Sequence, residues 1–372
     1  ALAAIAIQSN QNDQHGGQSI PNFDYGMAEG IRKSFAKLYR KKLAEGVEDL
    51  LNSEDESALA EAAVNKAADE LGMQPRIEVK ADEFDAIVAK ALEETSALSA
   101  GEAQRIVATA RRRAYKQTDR DTYQAMEGFV HNLNTMHSRA GAQTPFSSIN
   151  YGTDTSPEGR MAIRNILLAE DAGLGHGETP IFPIHIFKVK EGVNYNEGDP
   201  NYDLFKLSMK VSAKRLFPNY VFLDAPFNLQ YYKPGHPETE VATMGCRTRV
   251  MGNVYDPDRQ ISYSRGNLSF TSINLPRLAI LADHDEAAFY KKLDSMLELV
   301  AQQLLDRYEI QAAKRVYNYP FLMGQGVWLD SDNLGPADEV REVLKHGTLS
   351  IGFIGLAETL TALYGHHHGE SE

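Results

Sequence analysis

The sequence predicts an α/β fold, and three observations predict it. Apolar residues recur at three-to-four spacing within 24–130, the period of helices with one buried face. After residue 140 short apolar runs of strand length take over. Between two of those runs lies one helical stretch, which suits a right-handed crossover joining parallel strands. Strands and helices alternating in this way pack around one sheet or barrel.

Residues 1–23 read as a short apolar segment, 1–7, followed by a polar, glycine-bearing loop over 8–18. The apolar opening reads as the end of an element begun upstream, and the whole chain as an excerpt from a longer one. Residues 24–130 are expected to be mostly helical, with Ile106, Val107, Ala110, Ala114, Met126, Phe129 and Val130 on one buried face. The stretch 52–72 is rich in Ala, Glu and Asp, which suits an exposed, peripheral helix pair or a partly mobile insertion.

Five runs then read as buried strands: 146–151, 181–187, 220–224, 268–275 and 349–354. The helix between 187 and 220 carries Leu204, Leu207, Val211 and Leu216 on one side. A long helix follows the fourth strand. Asp283 and Glu286 have the spacing of an N-cap and its N3 partner. Phe289, Leu293, Met296, Leu297, Val300 and Leu304 then form its buried stripe.

Composition excludes several function classes. The chain has 372 residues, a formal net charge of −13 and 42% hydrophobic residues. Such a length holds one large domain or two smaller ones, and a core of that size needs no covalent staples. The acidic balance argues against a general nucleic-acid surface, while leaving room for a local basic pocket. No apolar run reaches the roughly 18 residues of a membrane span. A single cysteine makes no internal disulfide, which fits a reducing cytoplasm.

Three segments could carry chemistry. Thr243-Met244-Gly245-Cys246-Arg247-Thr248 holds that cysteine beside a glycine, which allows close backbone approach, and an arginine, which favours a thiolate or binds phosphate. The second is 131–141 running into Pro145-Phe146-Ser147-Ser148-Ile149-Asn150. There a helix ends in polar residues before a strand. Its hydroxyls, amides and arginine could hold a phosphate, or serve only as caps and turns. Third is Ser264-Arg265-Gly266-Asn267, with Asn267 at the head of a strand where it could share a cavity with Cys246. His366-His367-His368 is read as loop, since three adjacent histidines rarely complete a metal site. Arg249-Val250-Met251-Gly252-Asn253 faintly echoes a radical-glycine pattern but lacks its aromatic residue, and it is rejected as one.

Five runs in chain order resemble one family, the class III, oxygen-sensitive ribonucleoside-triphosphate reductases among the glycyl-radical enzymes. They are Gln11-Asn12-Asp13-Gln14-His15-Gly16-Gly17-Gln18, the 131–141 and 145–155 pair, Gly198-Asp199-Pro200-Asn201-Tyr202-Asp203-Leu204, Met244-Gly245-Cys246-Arg247-Thr248 and Arg265-Gly266-Asn267. The resemblance implies a ten-stranded α/β barrel, incomplete at both ends here and carrying peripheral helices. Residues 1–372 would be one partial catalytic domain. Within it, 24–130 would form the dimer and effector region, and 140–372 the barrel strands, finger loop and helices.

It further implies that Cys246, on the finger loop, becomes a thiyl radical that takes the 3′ hydrogen of a ribonucleoside triphosphate. The 2′ hydroxyl then leaves as water, giving the deoxyribonucleotide precursors of DNA. Asn267 would face the ribose. Ser147, Ser148, Asn150, Gly245 and Arg247 would bind substrate, and Gln14 an effector. The implied cofactors are a glycyl radical on a residue outside this chain, formate as reductant, and zinc in the complete protein but not in this piece. The implied partners are dNTP or ATP effectors, a radical S-adenosylmethionine activase and a second copy of the chain, in the cytoplasm, with no nucleic acid and no membrane.

The chemistry fits the residue. Removing hydrogen from an unactivated C–H bond needs a radical, which no acid–base pair supplies. A deep barrel interior would keep that radical from solvent. Three departures qualify the resemblance. The radical glycine, the four-cysteine zinc site and a further active-site cysteine would lie outside residues 1–372, so the piece alone is expected not to turn over. Two alternatives remain at this point: a glycyl-radical lyase of the pyruvate formate-lyase type, which commonly uses paired cysteines, and an inert nucleotide-binding and dimerisation module.

Overall fold

A computed structural model describes residues 2–14, 16–51, 57–138, 143–245 and 248–370. The first element, helix α1 (Leu2–Asp13), runs well into the polar stretch expected to be loop. Its end is anchored: the Asp13 carboxylate accepts from the backbone N–H groups of Phe321 and Leu322, at 2.8 and 2.9 Å. Strand β1 (Gln18–Ile20) follows. By contacts the chain divides into two compact units, each built from several chain segments.

The first unit comprises 1–4, 19–136 and 147–230. In α2 (Phe23–Leu51) the residues Ile31, Phe35, Tyr39, Leu43 and Val47 are buried at a four-residue interval, the inner face of a long helix. Helix α3 (Ser57–Leu71) buries Ala60, Ala63, Val64 and Ala67, so the described part of the Ala-rich stretch is one packed helix rather than an exposed pair. Residues 52–56 lie outside the described residues. Helix α4 (Ala81–Thr95) leads to α5 (Ala100–Thr135), which opens with a capping box: the Ser99 hydroxyl accepts from the Glu102 N–H and the Glu102 side chain accepts from the Ser99 N–H. All seven residues expected on the buried face of α5 are buried.

Strand β2 (Ser147–Tyr151), helix α6 (Pro157–Ala172), strand β3 (Ile184–Val189), helix α7 (Tyr202–Arg215) and strand β4 (Asn219–Phe222) complete this unit. The sheet order is β1-β2-β3-β4, with β2–β3 and β3–β4 parallel. Helix α7 therefore connects two parallel strands, as expected, but β4 has no buried residue and is not the buried strand that its apolar run suggested. One residue of its expected stripe is misplaced: Leu216 is the left-handed C-cap of α7 and is 82% exposed.

The second unit comprises 5–18, 137–146 and 231–372. Strands β5 (Ala242–Met244) and β6 (Thr248–Val250) form an antiparallel hairpin. Strand β7 (Asn267–Asn274) runs straight into helix α8 (Leu275–Ala282), because the Asn274 side chain caps the helix by accepting from the Arg277 N–H at 3.1 Å. Helix α9 (Glu286–Ala312) is capped by Asp285, not by Asp283, which is instead the left-handed C-cap of α8. Phe289, Val300 and Leu304 of the expected stripe are buried, whereas Leu297 is 37% exposed. Helix α10 (Arg341–Leu344), strand β8 (Thr348–Ile354), parallel to β7, and helix α11 (Leu356–Tyr364) follow.

One apolar core of this unit gathers around Trp328, whose indole N–H donates to the Val343 carbonyl at 2.7 Å. A second gathers around Phe289 and Leu278. The fold is mixed α/β, with eight strands among the described residues. None of the described helices is long and apolar enough to cross a membrane.

Candidate functional site

In the second unit a cavity of about 500 Å³ lies at the heads of β7 and β8, within the size range of small-molecule sites. Four chain segments wall it: the Gly16-Gly17 loop, Phe146, the β5–β6 hairpin, and the β7–β8 pair with Asn267 at its head.

Glycine lets these segments close on one another. Gly245 has φ +58°, and a Cβ there would stand 3.1 Å from the Phe146 ring. A Cβ on Gly17 would stand 2.6 Å from the same ring, so the ring is wedged against two bare backbones. The last residue pair of the hairpin is Met244 with Thr248. Cys246 and Arg247 lie outside the described residues. Their flanking residues, Gly245 and Thr248, both line the cavity.

Asn267 is the best-connected polar residue of the wall. Its Oδ1 accepts from the Thr348 hydroxyl at 2.7 Å, and its Nδ2 donates to the Thr248 hydroxyl at 3.4 Å. Its main-chain oxygen accepts from the Gln14 side chain at 3.3 Å. Gly245 and Thr248 thus meet Asn267 at one cavity, while the expected meeting of Cys246 with Asn267 falls outside the described residues.

Gln14, expected at an effector site, lies here against Asn267 and against Gly266, where a Cβ would come within 2.1 Å of the Gln14 amide nitrogen. Arg265, next in the motif, has a structural task. Its guanidinium donates to the carbonyls of His346, Gly252 and Ile261, and burial pulls its pKa down.

The other expected substrate residues lie in the first unit. Ser147, Ser148 and Asn150 are fully buried on β2, and the Asn150 amide donates to the Ser19 hydroxyl at 3.1 Å. The polar run before them is a clasp: Asn134 Oδ1 accepts from the N–H groups of Ile181 and Phe182, at 2.9 and 3.2 Å. Beyond β2, the amides of Gly152, Thr153 and Asp154 point at one carboxylate oxygen of buried Asp24. Asn201, from the Gly198–Leu204 run, is fully buried and donates to the carbonyls of Gly152 and Asp154. That run therefore ties down the turn after β2.

Two features escaped the sequence reading. Thr348 carries no local signal, being an exposed threonine 81 positions from its partner. The second is a cleft of about 640 Å³ on α2, α5 and α6 in the first unit, lined by Lys42, Arg113, Lys116, Arg120 and Arg164. Lys42 pairs with Glu45 at 2.7 Å and Arg164 pairs with Asp119. Arg113, Lys116 and Arg120 form no ion pair among the described residues, and in a chain of net charge −13 such a concentration of cations is a local reversal. Only its periodic basic residues on α5 could have pointed to it.

Comparison with known proteins agrees with the resemblance seen in the sequence. The family model described as anaerobic ribonucleoside-triphosphate reductase matches residues 1–372. A relative of that name from Escherichia coli (strain K12) is 35% identical over 261 residues, covering 68% of this chain and 35% of the relative. The one from Enterobacteria phage T4 is 32% identical over 270 residues, covering 71% of this chain and 43% of the relative. The matched stretch thus spans less than half the length of either. Among solved structures, the anaerobic ribonucleotide reductase from Thermotoga maritima with citrate in the active site aligns at a TM-score of 0.41 and 12% identity, covering 92% of this chain and 66% of that one. With a family model matched from its first residue to its last, the chain belongs to the anaerobic ribonucleoside-triphosphate reductase family.

Proposed function

We propose that this chain is part of a catalytic subunit that reduces ribonucleoside triphosphates to deoxyribonucleoside triphosphates by thiyl-radical chemistry at Cys246. The observation that carries the reading is the shared cavity: Gly245, Thr248 and Asn267 line one space of about 500 Å³, and Gly245 and Thr248 bracket Cys246 and Arg247 in the sequence. Cys246 would lose its sulfur-bound hydrogen atom to a glycyl radical outside this chain. The sulfur would then take the 3′ hydrogen of the ribose, the 2′ hydroxyl would depart as water, formate would supply two electrons and leave as carbon dioxide, and the cysteine would return the hydrogen to C3′. Asn267 supplies a carboxamide able to bond the sugar hydroxyls. Gly245, Arg247, Ser147, Ser148 and Asn150 are kept as substrate-site candidates.

The ten-stranded barrel belongs to the same proposal. Parallel sheets are normally covered on both faces. The β7–β8 pair nevertheless exposes Phe270, Ile351 and Phe353 at 56%, 43% and 61%, which supports its being part of a larger closed sheet. The basic cleft supports binding of a nucleoside triphosphate effector by the helical region, since clustered guanidinium and ammonium groups suit phosphate oxygens. A homodimer, an S-adenosylmethionine activase and a cytoplasmic setting complete the proposal. A four-cysteine zinc site does not fit this chain, which has one cysteine. Reduction of a 3′-deuterated ribonucleoside triphosphate by the complete, activated protein tests the reading. A primary isotope effect on turnover is expected, and equal rates for the 3′-deuterated and unlabelled substrates would refute it.

A further inference from the structure

Asn267 has two amide hydrogens and two acceptor lone pairs, and a carboxamide free to rotate presents either end to a ligand. In the structure one end is already committed. The Thr348 hydroxyl donates to Asn267 Oδ1 at 2.7 Å, the shorter of the two side-chain hydrogen bonds that the carboxamide makes. The two residues sit opposite each other in the parallel β7–β8 register, and the Thr348 N–H is itself bonded to the Gly266 carbonyl at 3.0 Å. The hydroxyl is thus held by backbone pairing. From behind, Gln14 donates to the Asn267 main-chain oxygen, and Gly266 has no side chain to push it away. The outcome is an amide group whose NH₂ faces the Thr248 hydroxyl, two positions beyond Cys246.

We infer that Thr348 is a positioning residue for the reaction: by occupying the acceptor end of the Asn267 carboxamide, it keeps the donor end turned to the substrate cavity and the finger-loop side. This rests on the cavity being the reduction site. Nothing in the motif-bearing runs points to Thr348, which acts only through Asn267.

The test is a double-mutant cycle in the complete, activated protein, with kcat and KM measured separately. Thr348→Val keeps the shape and removes the hydroxyl. It is expected to lower kcat about three- to tenfold, the worth of one neutral hydrogen bond, with KM within about twofold. Thr348→Ser should restore most of that loss. In an Asn267→Ala background Thr348→Val should cost nothing further, because its only route of action is gone. Wild-type turnover in Thr348→Val, or the same loss with Asn267 absent, would overturn the positioning role while leaving the site intact. Full turnover in Asn267→Ala alone would overturn the site reading and the inference with it.

Discussion

Arg76 holds Glu158 through two nitrogens, Nε to Oε1 at 2.8 Å and Nη2 to Oε2 at 3.0 Å, and the carboxylate so held is fully buried. Burial works against the ionised form of Glu158. The two hydrogen bonds from Arg76, its charge and the Ile77 N–H outweigh that and hold the pKa below the ordinary glutamate value. A depressed carboxylate pKa stabilises the fold above the unfolded value of about 4.3, and that stability is lost as pH falls through the folded value. Arg76→Met is therefore expected to cost about 3 kcal/mol at pH 7, where it removes both short hydrogen bonds from a buried carboxylate and leaves it only Arg32 at 3.8 Å and the Ile77 N–H at 3.5 Å. The gap to wild type should narrow at pH 4 and below, as Glu158 takes up a proton. Urea unfolding at both pH values checks this; a gap that widens on acidification would contradict it.

Two glycines beside the candidate cavity should respond differently to alanine. At Gly347 a Cβ would lie 2.6 Å from Leu268 Cγ, in the core around Trp328, where little can move. Gly347→Ala should destabilise by about 1–3 kcal/mol, the usual cost of overpacking. At Gly266 the obstacle is the far end of the flexible Gln14 side chain. Gly266→Ala should leave the thermal midpoint nearly unchanged and lower turnover, because Gln14 must leave Asn267. Equal melting losses in the two variants would be inconsistent with this.

The basic cleft gives a binding prediction. Lys116→Ala and Arg120→Ala should each weaken binding of a nucleoside triphosphate to the helical region by about tenfold, on the scale of one charged hydrogen bond. Calorimetry at two salt concentrations checks it, since phosphate contacts weaken as salt rises. Unchanged affinity in both variants would place the effector elsewhere.

Much of the architecture was legible because buried faces impose a period. The seven apolar positions of α5 are buried, and the runs at 146–151, 181–187, 220–224, 268–275 and 349–354 each hold a strand. Only β2 and β3 are buried throughout, while β4 and β8 have no buried residue, because apolar run length alone does not say whether a strand is covered on both faces. What failed was set by capping and by distant contacts. The polar end of α1 is helical, its last residue, Asp13, holding amides about 308 positions away. Asp285 rather than Asp283 caps α9, since a short helix, α8, starts at the last residue of the expected strand and takes Asp283 as its own C-cap. The Ala-rich stretch packs because alanine's small apolar side chain, flanked in the sequence by charged residues, leaves room for a neighbouring helix. At the site, Asn267 and Gly245 could be picked out as polar or glycine positions in short motifs. Thr348 could not, because only the β7–β8 register gives it a partner.

The central claim concerns a sulfur and a sugar, and one substitution tests it most directly. Cys246→Ser in the complete, activated protein should bind ribonucleoside triphosphate with unchanged affinity and form no deoxyribonucleotide. Deoxyribonucleotide formed by that variant at a rate comparable to wild type would contradict the account.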